Sequence, residues 1–108
     1  MNLDGARNDA LQPIARLDPF VHAPARLMIL VCLSLVDTAD FMFLLNETRL
    51  TRGNLSSHLD KLEQAGYVEI RKEFVDKVPR TLVRLSEAGR RAVCTYRGTM
   101  ARVLEGLA

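Results

Sequence analysis

The chain has 108 residues, enough for one domain whose stability margin is thin unless dimerisation buries more surface. Its 48% apolar and 26% charged residues exclude a disordered chain, and its longest apolar run, Leu27 to Leu33, is far short of the roughly 20 residues that span a bilayer. The net charge of +2 is unevenly spread: residues 1–48 sum to −3, residues 49–91 to +4 and the tail to +1, so the middle of the chain suits an anionic partner if its charges share one surface.

Two cysteines, Cys32 and Cys94, are too few and too far apart for a disulfide framework or a zinc site. Both fall in apolar helical stretches and read as small buried side chains in a reducing cytoplasm. Near the start, Asp4, Arg7 and Asp9 leave no basic end leading into an apolar signal core, so no targeting segment is expected. There is no nucleophile elbow, no phosphate-binding glycine loop and no metal-ligand cluster, and His22 and His58 lie far apart in the chain. Neither an enzyme nor a cofactor is expected.

In chain order, Leu11, Ile14 and Leu17 have helical spacing within residues 1–23, but Pro13, Pro19 and Pro24 interrupt it. A short helix followed by a loop results. Pro24 suits the first position of the next helix. From there to about Val36 the residues are apolar almost all round, which predicts a helix buried on most sides. A strand could carry the same residues, but the length favours helix. Residues 37–40 read as a turn, with Asp40 capping a short helix that ends near Arg49. Thr51 is a second N-cap, and Leu55, Leu59 and Leu62 give the helix it opens one buried stripe as far as Ala65-Gly66.

The period then changes. Tyr67 to Val75 and Arg80 to Leu85 alternate around a polar turn at residues 76–79, the pattern of a β-hairpin. Ser86 caps a last helix that runs to the end of the chain. Helix, helix, helix, hairpin, helix, with one more helix in front, is mainly α with a β-hairpin (α+β). The order predicts a winged helix-turn-helix over residues 24–86, an N-terminal arm over 1–23 and a C-terminal dimerisation helix over 87–108.

At 3.6 residues per turn, the side of the Thr51 helix opposite Leu55 is small and polar: Thr51, Arg52, Gly53, Asn54 and Ser57, then Lys61. Arg and Asn make bidentate bonds to guanine and adenine, small residues allow close approach, and the helix N-terminus favours phosphate. An ordinary solvated face carries more Glu and Lys, and fewer Gly, Asn and Ser, which form helices poorly. His58 lies nearer the edge of this face. On the hairpin, Lys77 and Arg80 bracket the turn as backbone contacts, while Arg71, Lys72 and Arg84 are left open and Glu69, Glu73 and Asp76 dilute the field. Val93, Tyr96, Met100, Val103 and Leu107 recur at intervals of 3 and 4, a heptad seam for a partner helix. With Leu11, Ile14 and Leu17 they make the expected dimer interface.

The segments Asp40 to Leu45 and Leu50 to Val68 resemble winged-helix regulators related to the MarR and ArsR groups. Pro79-Arg80-Thr81 in the hairpin and Leu85-Ser86 with Gly89 at the last helix are similar to a compact single-domain family among them, as is the run from His22 to Leu27. The resemblance covers roughly residues 18–100. It implies a cytoplasmic homodimer, held by terminal helices, on pseudo-palindromic double-stranded operator DNA. By position it implies DNA contacts from Thr51, Arg52, Asn54, Ser57, His58 and Lys61, and from Lys77 and Arg80 in the wing. It also raises a small-molecule effector of unknown identity, since MarR-type relatives often bind aromatic acids. Such proteins usually have Gly where this chain has Arg49, so either that turn is strained or Arg49 touches phosphate. The rival reading is a winged helix used for protein–protein contact, against which the exposed Arg52, Asn54, Ser57 and Lys61 argue.

Overall fold

Pro24 opens α1 (Pro24–Ser34), where its missing N–H is not needed and its fixed φ is already helical. The computed structural model describes residues 11–107. Residues 11–15 are helical, and a turn-rich link leads from them to α1. The expected arm over 1–23 therefore lies partly outside the described residues. Ile29, Leu30 and Leu33 of α1 are fully buried, while Met28, Val31 and the capping Leu35 are exposed. The expectation of burial on most sides is thus corrected. One layer of neighbours can cover only one side of a helix, however apolar the other is.

Ala39 and Asp40, expected within a turn, form a short strand β1 (Ala39–Asp40). Asp40 then caps α2 (Phe41–Thr48), its Oδ1 accepting from the Phe43 N–H at 2.7 Å. At the far end the buried Thr48 donates its hydroxyl to the Leu44 carbonyl at 2.7 Å. Arg49 follows in the left-handed region, at φ 58° and ψ 22°.

Thr51 caps α3 (Arg52–Gln64), accepting from the Asn54 N–H at 3.1 Å. Gly66, at φ 80°, ends it in a Schellman arrangement: the N–H groups of Gly66 and Tyr67 donate to the carbonyls of Glu63 and Leu62. Leu55, Leu59 and Leu62 carry the whole buried side of this helix.

The hairpin comprises β2 (Val68–Val75) and β3 (Val78–Leu85). Its turn is shorter than the expected four residues. Only Asp76 and Lys77 lie outside the strands, both at positive φ (50° and 68°), as a two-residue type I′ connection requires. Val78 and Pro79 are therefore strand residues. The sheet is antiparallel, ordered β1-β3-β2, with Ala39 opposite Val83 and Val68 opposite Leu85.

The last helix, α4 (Glu87–Glu105), is locked to the end of α3. Ser86 Oγ accepts from the Gly89 N–H at 3.0 Å and donates to the Gly66 carbonyl. A Cβ on Gly89 would overlap the Tyr67 carbonyl, so the helix can approach this closely only with glycine there. Val93 and Tyr96, expected to face a partner, pack instead on the chain's own core. The Tyr96 hydroxyl also lies 2.9 Å from His22 Nδ1, with the two rings stacked. Cys94, expected to be buried, is exposed on the other side. Beyond Tyr96 the helix projects. The radius of gyration, 17.1 Å, exceeds the roughly 13 Å of a compact chain this long.

The left-handed Arg49 identifies a cost the chain carries in its helix–turn–helix. A residue with a Cβ loses roughly 1–2 kcal/mol in that conformation, and glycine offsets part of its advantage through unfolded-state entropy. Arg49→Gly is expected to stabilise the protein by about 1 kcal/mol, whereas Arg49→Ala should gain nothing. Thermal unfolding at fixed protein concentration checks this. Equal midpoints for the two variants would remove the strain argument.

Candidate nucleic-acid interface

The narrow leucine stripe of α3 leaves the opposite side of the helix uncovered. Thr51, Arg52, Gly53, Asn54, Ser57 and Lys61 are all exposed there, so one surface gathers most of the residues expected to meet DNA. Thr51 Oγ1 is occupied as an acceptor by its cap bond but keeps its own hydrogen to donate. Among the described residues the Arg52 guanidinium bonds only the Met42 sulfur, at 3.5 Å, a weak acceptor that leaves it disposable.

His58 stands apart. It is half-buried, with Nδ1 3.4 Å from Arg26 Nη1, and Arg26 in turn donates from Nε to the Phe20 carbonyl at 2.7 Å and lies over the Phe20 ring. Burial first, then the charges of Arg26 and Lys61, hold the His58 pKa below its ordinary value. A guanidinium has only donors, so a bond to it assigns the neutral tautomer with hydrogen on Nε2. His58 thus belongs to the seam between α1 and α3 as much as to the polar face.

The five basic residues of the hairpin divide by environment. Arg71 pairs with Glu73 at 3.4 Å, Arg84 with Glu69 at 3.0 Å, and Arg80 with Asp40 at 2.9 Å. Lys72 and Lys77 make no ion pair among the described residues. Lys77 sits in the turn at the wing tip, whereas Arg80, expected beside it as a contact, is turned back toward the start of α2. Between the wing and the first turns of α2 and α3 lies a cleft of about 520 Å³, walled by Met42, Arg52, Val78 and Arg80 among others. Alternation puts Lys72 in phase with Ile70 and Val68, on the side of the sheet that meets the core.

A polar helix start, a tight helix–turn–helix and a hairpin joined by a cleft is the arrangement of a DNA-reading module, and residues 25–104 match the family described as winged helix DNA-binding domain. The chain belongs to that family. This winged-helix protein is 35% identical over 75 residues, 69% of its length, to the uncharacterized protein MJ0432 of Methanocaldococcus jannaschii, and spans 82% of that protein. Its fold is similar to that of a transcriptional regulator homologue from Pyrococcus horikoshii OT3, with a TM-score of 0.80, 30% identity, and 90% and 95% of the two chains covered. It is also similar to NadR in complex with 4-hydroxyphenylacetate, with a TM-score of 0.66, 27% identity, and 95% and 71% covered. A MarR-family transcriptional regulator shares the fold. The winged helix expected from the sequence is therefore the fold observed.

Asp40 joins the parts of the winged-helix site: it caps α2, holds Arg80 and belongs to β1. Its carboxyl is kept below the usual carboxylate range by the Phe43 N–H first and the Arg80 hydrogen bond second. A lowered folded pKa means that its contribution is complete above the unfolded value, near 4, and is lost as pH falls below it. Asp40→Ala should cost about 1 kcal/mol, while Asp40→Asn, a competent cap, should lose only the ion pair and this acid-side dependence. Urea unfolding of the three proteins at pH 7 and pH 3 checks both. Equal losses in the two variants would show that the cap bond contributes little.

Proposed function

We propose that this protein is a sequence-specific double-stranded DNA-binding transcriptional regulator that acts as a homodimer. The observation that carries the reading is the exposed face of Arg52, Asn54, Ser57 and Lys61 on a helix whose other side is fully buried. Gly53 supports it. A Cβ at Gly53 would meet nothing within 4 Å, so the chain's own packing does not require glycine there, although glycine weakens a helix. Close approach of an outside surface accounts for it. In this reading α3 enters the major groove, and the wing over residues 71–84 lies on the flanking backbone or minor groove.

The dimer rests on uncovered apolar surface at the ends of the chain. Leu104 and Leu107 are 58% and 67% exposed, and Leu11 and Ile14 are 55% and 47% exposed. Met100 and Val103 continue the same side of α4. The outer side of α1 adds a groove of about 580 Å³, lined by Leu27, Met28, Val31, Cys32, Leu35 and Glu47 among others. Among the described residues no Lys or Arg lines this groove, so only the His22 imidazole would face an acid such as the one NadR holds. We assign the groove to apolar helix from the second copy and not to an anionic effector. Burial, and then Glu47, push the Cys32 thiol pKa up, which keeps it protonated and unreactive. Two α3 helices on a twofold axis would read half-sites about one DNA turn apart.

The recognition face is tested with Arg52→Ala combined with Asn54→Ala, on a fluorescent duplex of the DNA upstream of the protein's own gene. Affinity is expected to fall by about 100-fold, toward that for a random duplex. Unchanged affinity and salt dependence would refute the reading. Light scattering tests the dimer: the native chain should give twice its 12.1 kDa mass, and Met100→Asp with Val103→Asp should give a folded monomer with weakened DNA binding. A monomeric native protein would overturn the dimer alone.

A further inference from the structure

The two sides of the wing are built differently. Side chains alternate along a strand, so Glu69, Arg71, Glu73 and Val75 of β2 share one side with Val78, Arg80, Leu82 and Arg84 of β3. On this outer side every arginine has a carboxylate: Arg71 has Glu73, Arg80 has Asp40 and Arg84 has Glu69. The inner side starts in the core, with Val68 opposite Leu85 and Ile70 opposite Val83. It then runs out past the body of the domain through Lys72 opposite Thr81 to Phe74 opposite Pro79.

Phe74 is 76% exposed, more than any other aromatic residue among those described. No core residue covers it, although β2 could have carried a polar side chain there without any loss of packing. None of the strand residues on the inner side is an acid, and Lys72 on the strand and Lys77 in the turn, beside Asp76, make no ion pair among the described residues and flank the ring along the chain. Pro79 and Thr81 of this side also line the cleft in which Arg52 stands, together with Val75, Val78 and Arg80 of the other side, so the wing tip adjoins the start of α3.

We propose that the inner side of the wing tip is an apolar wedge for the DNA minor groove: Phe74 and Pro79 lie against the sugar walls, and Lys72 and Lys77 reach the phosphates on either lip. The inference rests on the DNA-binding reading above and adds to it the residues by which the wing engages. The minor groove is lined by sugar C–H groups and accepts apolar side chains, which spread or kink it. Its rims are anionic, as the two lysines require. A wing-to-wing contact between two copies would instead set Lys72 and Lys77 against their own equivalents, and the neutralised outer side would be the better surface for that.

The test separates apolar from ionic contact by salt dependence. Phe74→Ala, Lys72→Ala, Lys77→Ala and the double Arg52/Asn54 variant are titrated in parallel on the same upstream duplex, between about 50 and 200 mM salt. Phe74→Ala should weaken binding by roughly tenfold or more with the salt slope unchanged, because an apolar contact releases no counterions. Each lysine variant should flatten the slope by about one phosphate per wing. Hydroxyl-radical cleavage should show flanking minor-groove sugars protected by the native protein and freed with Phe74→Ala. The ring is exposed, so the melting temperature and dimer mass should not move. Native affinity with Phe74→Ala, or a changed slope, would overturn the wedge if the Arg52/Asn54 variant still loses binding. A dimer mass lost with Phe74→Ala would make the ring a protein contact and overturn it too. If the Arg52/Asn54 variant binds normally, the DNA-binding reading fails first and the wedge with it.

Discussion

Three leucines hold the helix that carries the candidate site. Leu55, Leu59 and Leu62 are at most 2% exposed, and they fix α3 against α1 and β2 by a single stripe. At roughly 1.5–3 kcal/mol for each fully buried leucine, the anchor is strong for its width. A wider apolar face would have drawn Ser57 or Lys61 toward the interior. A narrower one would have let the helix roll, since its outer side makes only the weak Arg52–Met42 bond among the described residues. The narrow stripe therefore does two jobs: it fixes the orientation of α3 and leaves more than half of its circumference for an outside surface.

The ends of that helix are fixed just as specifically. At its start, Thr51 caps α3 two residues after Arg49, which turns the chain in the left-handed region. At its end, the Gly66 turn presents two carbonyls to the next segment. The Gly66 carbonyl accepts from Ser86 Oγ, and the Tyr67 carbonyl accepts from the Ser86 N–H and lies against Gly89. The opening of α4 is thus seated on the exit of α3. A change in the tilt of α4 would be felt first where α3 ends.

How much of this was legible depended on the range of each interaction. The α3 stripe, its caps and the alternating hairpin follow from spacing and local hydrogen bonds, and all are present where they were expected. The strand at Ala39–Asp40 was hidden because two residues have no period, and its partner, β3, lies more than forty residues away. The two-residue turn was hidden by Pro79, a common turn residue close behind Asp76-Lys77, although Val78 and Pro79 continue the strand. For α1, composition described the helix correctly but not its surroundings. Apolar residues all round it signal burial only when elements exist to cover each side, and a single chain supplies them for one.

The same limit governs the charges. By count, the hairpin offers five cations, and position in the chain singles out Lys77 and Arg80 because they bracket the turn. Pairing redistributes them. Exposed ion pairs contribute little to stability, but each one reduces the field that its arginine presents to a polyanion. Arg80 loses most in this way, since Asp40 is fixed by its own duty as a helix cap and cannot turn aside without uncapping α2. Lys72 and Lys77 have no such partner among the described residues, and they flank the most exposed aromatic ring of those residues, Phe74. The chemistry of the wing is set less by how many basic residues it carries than by which ones the acids of its outer side leave unmatched.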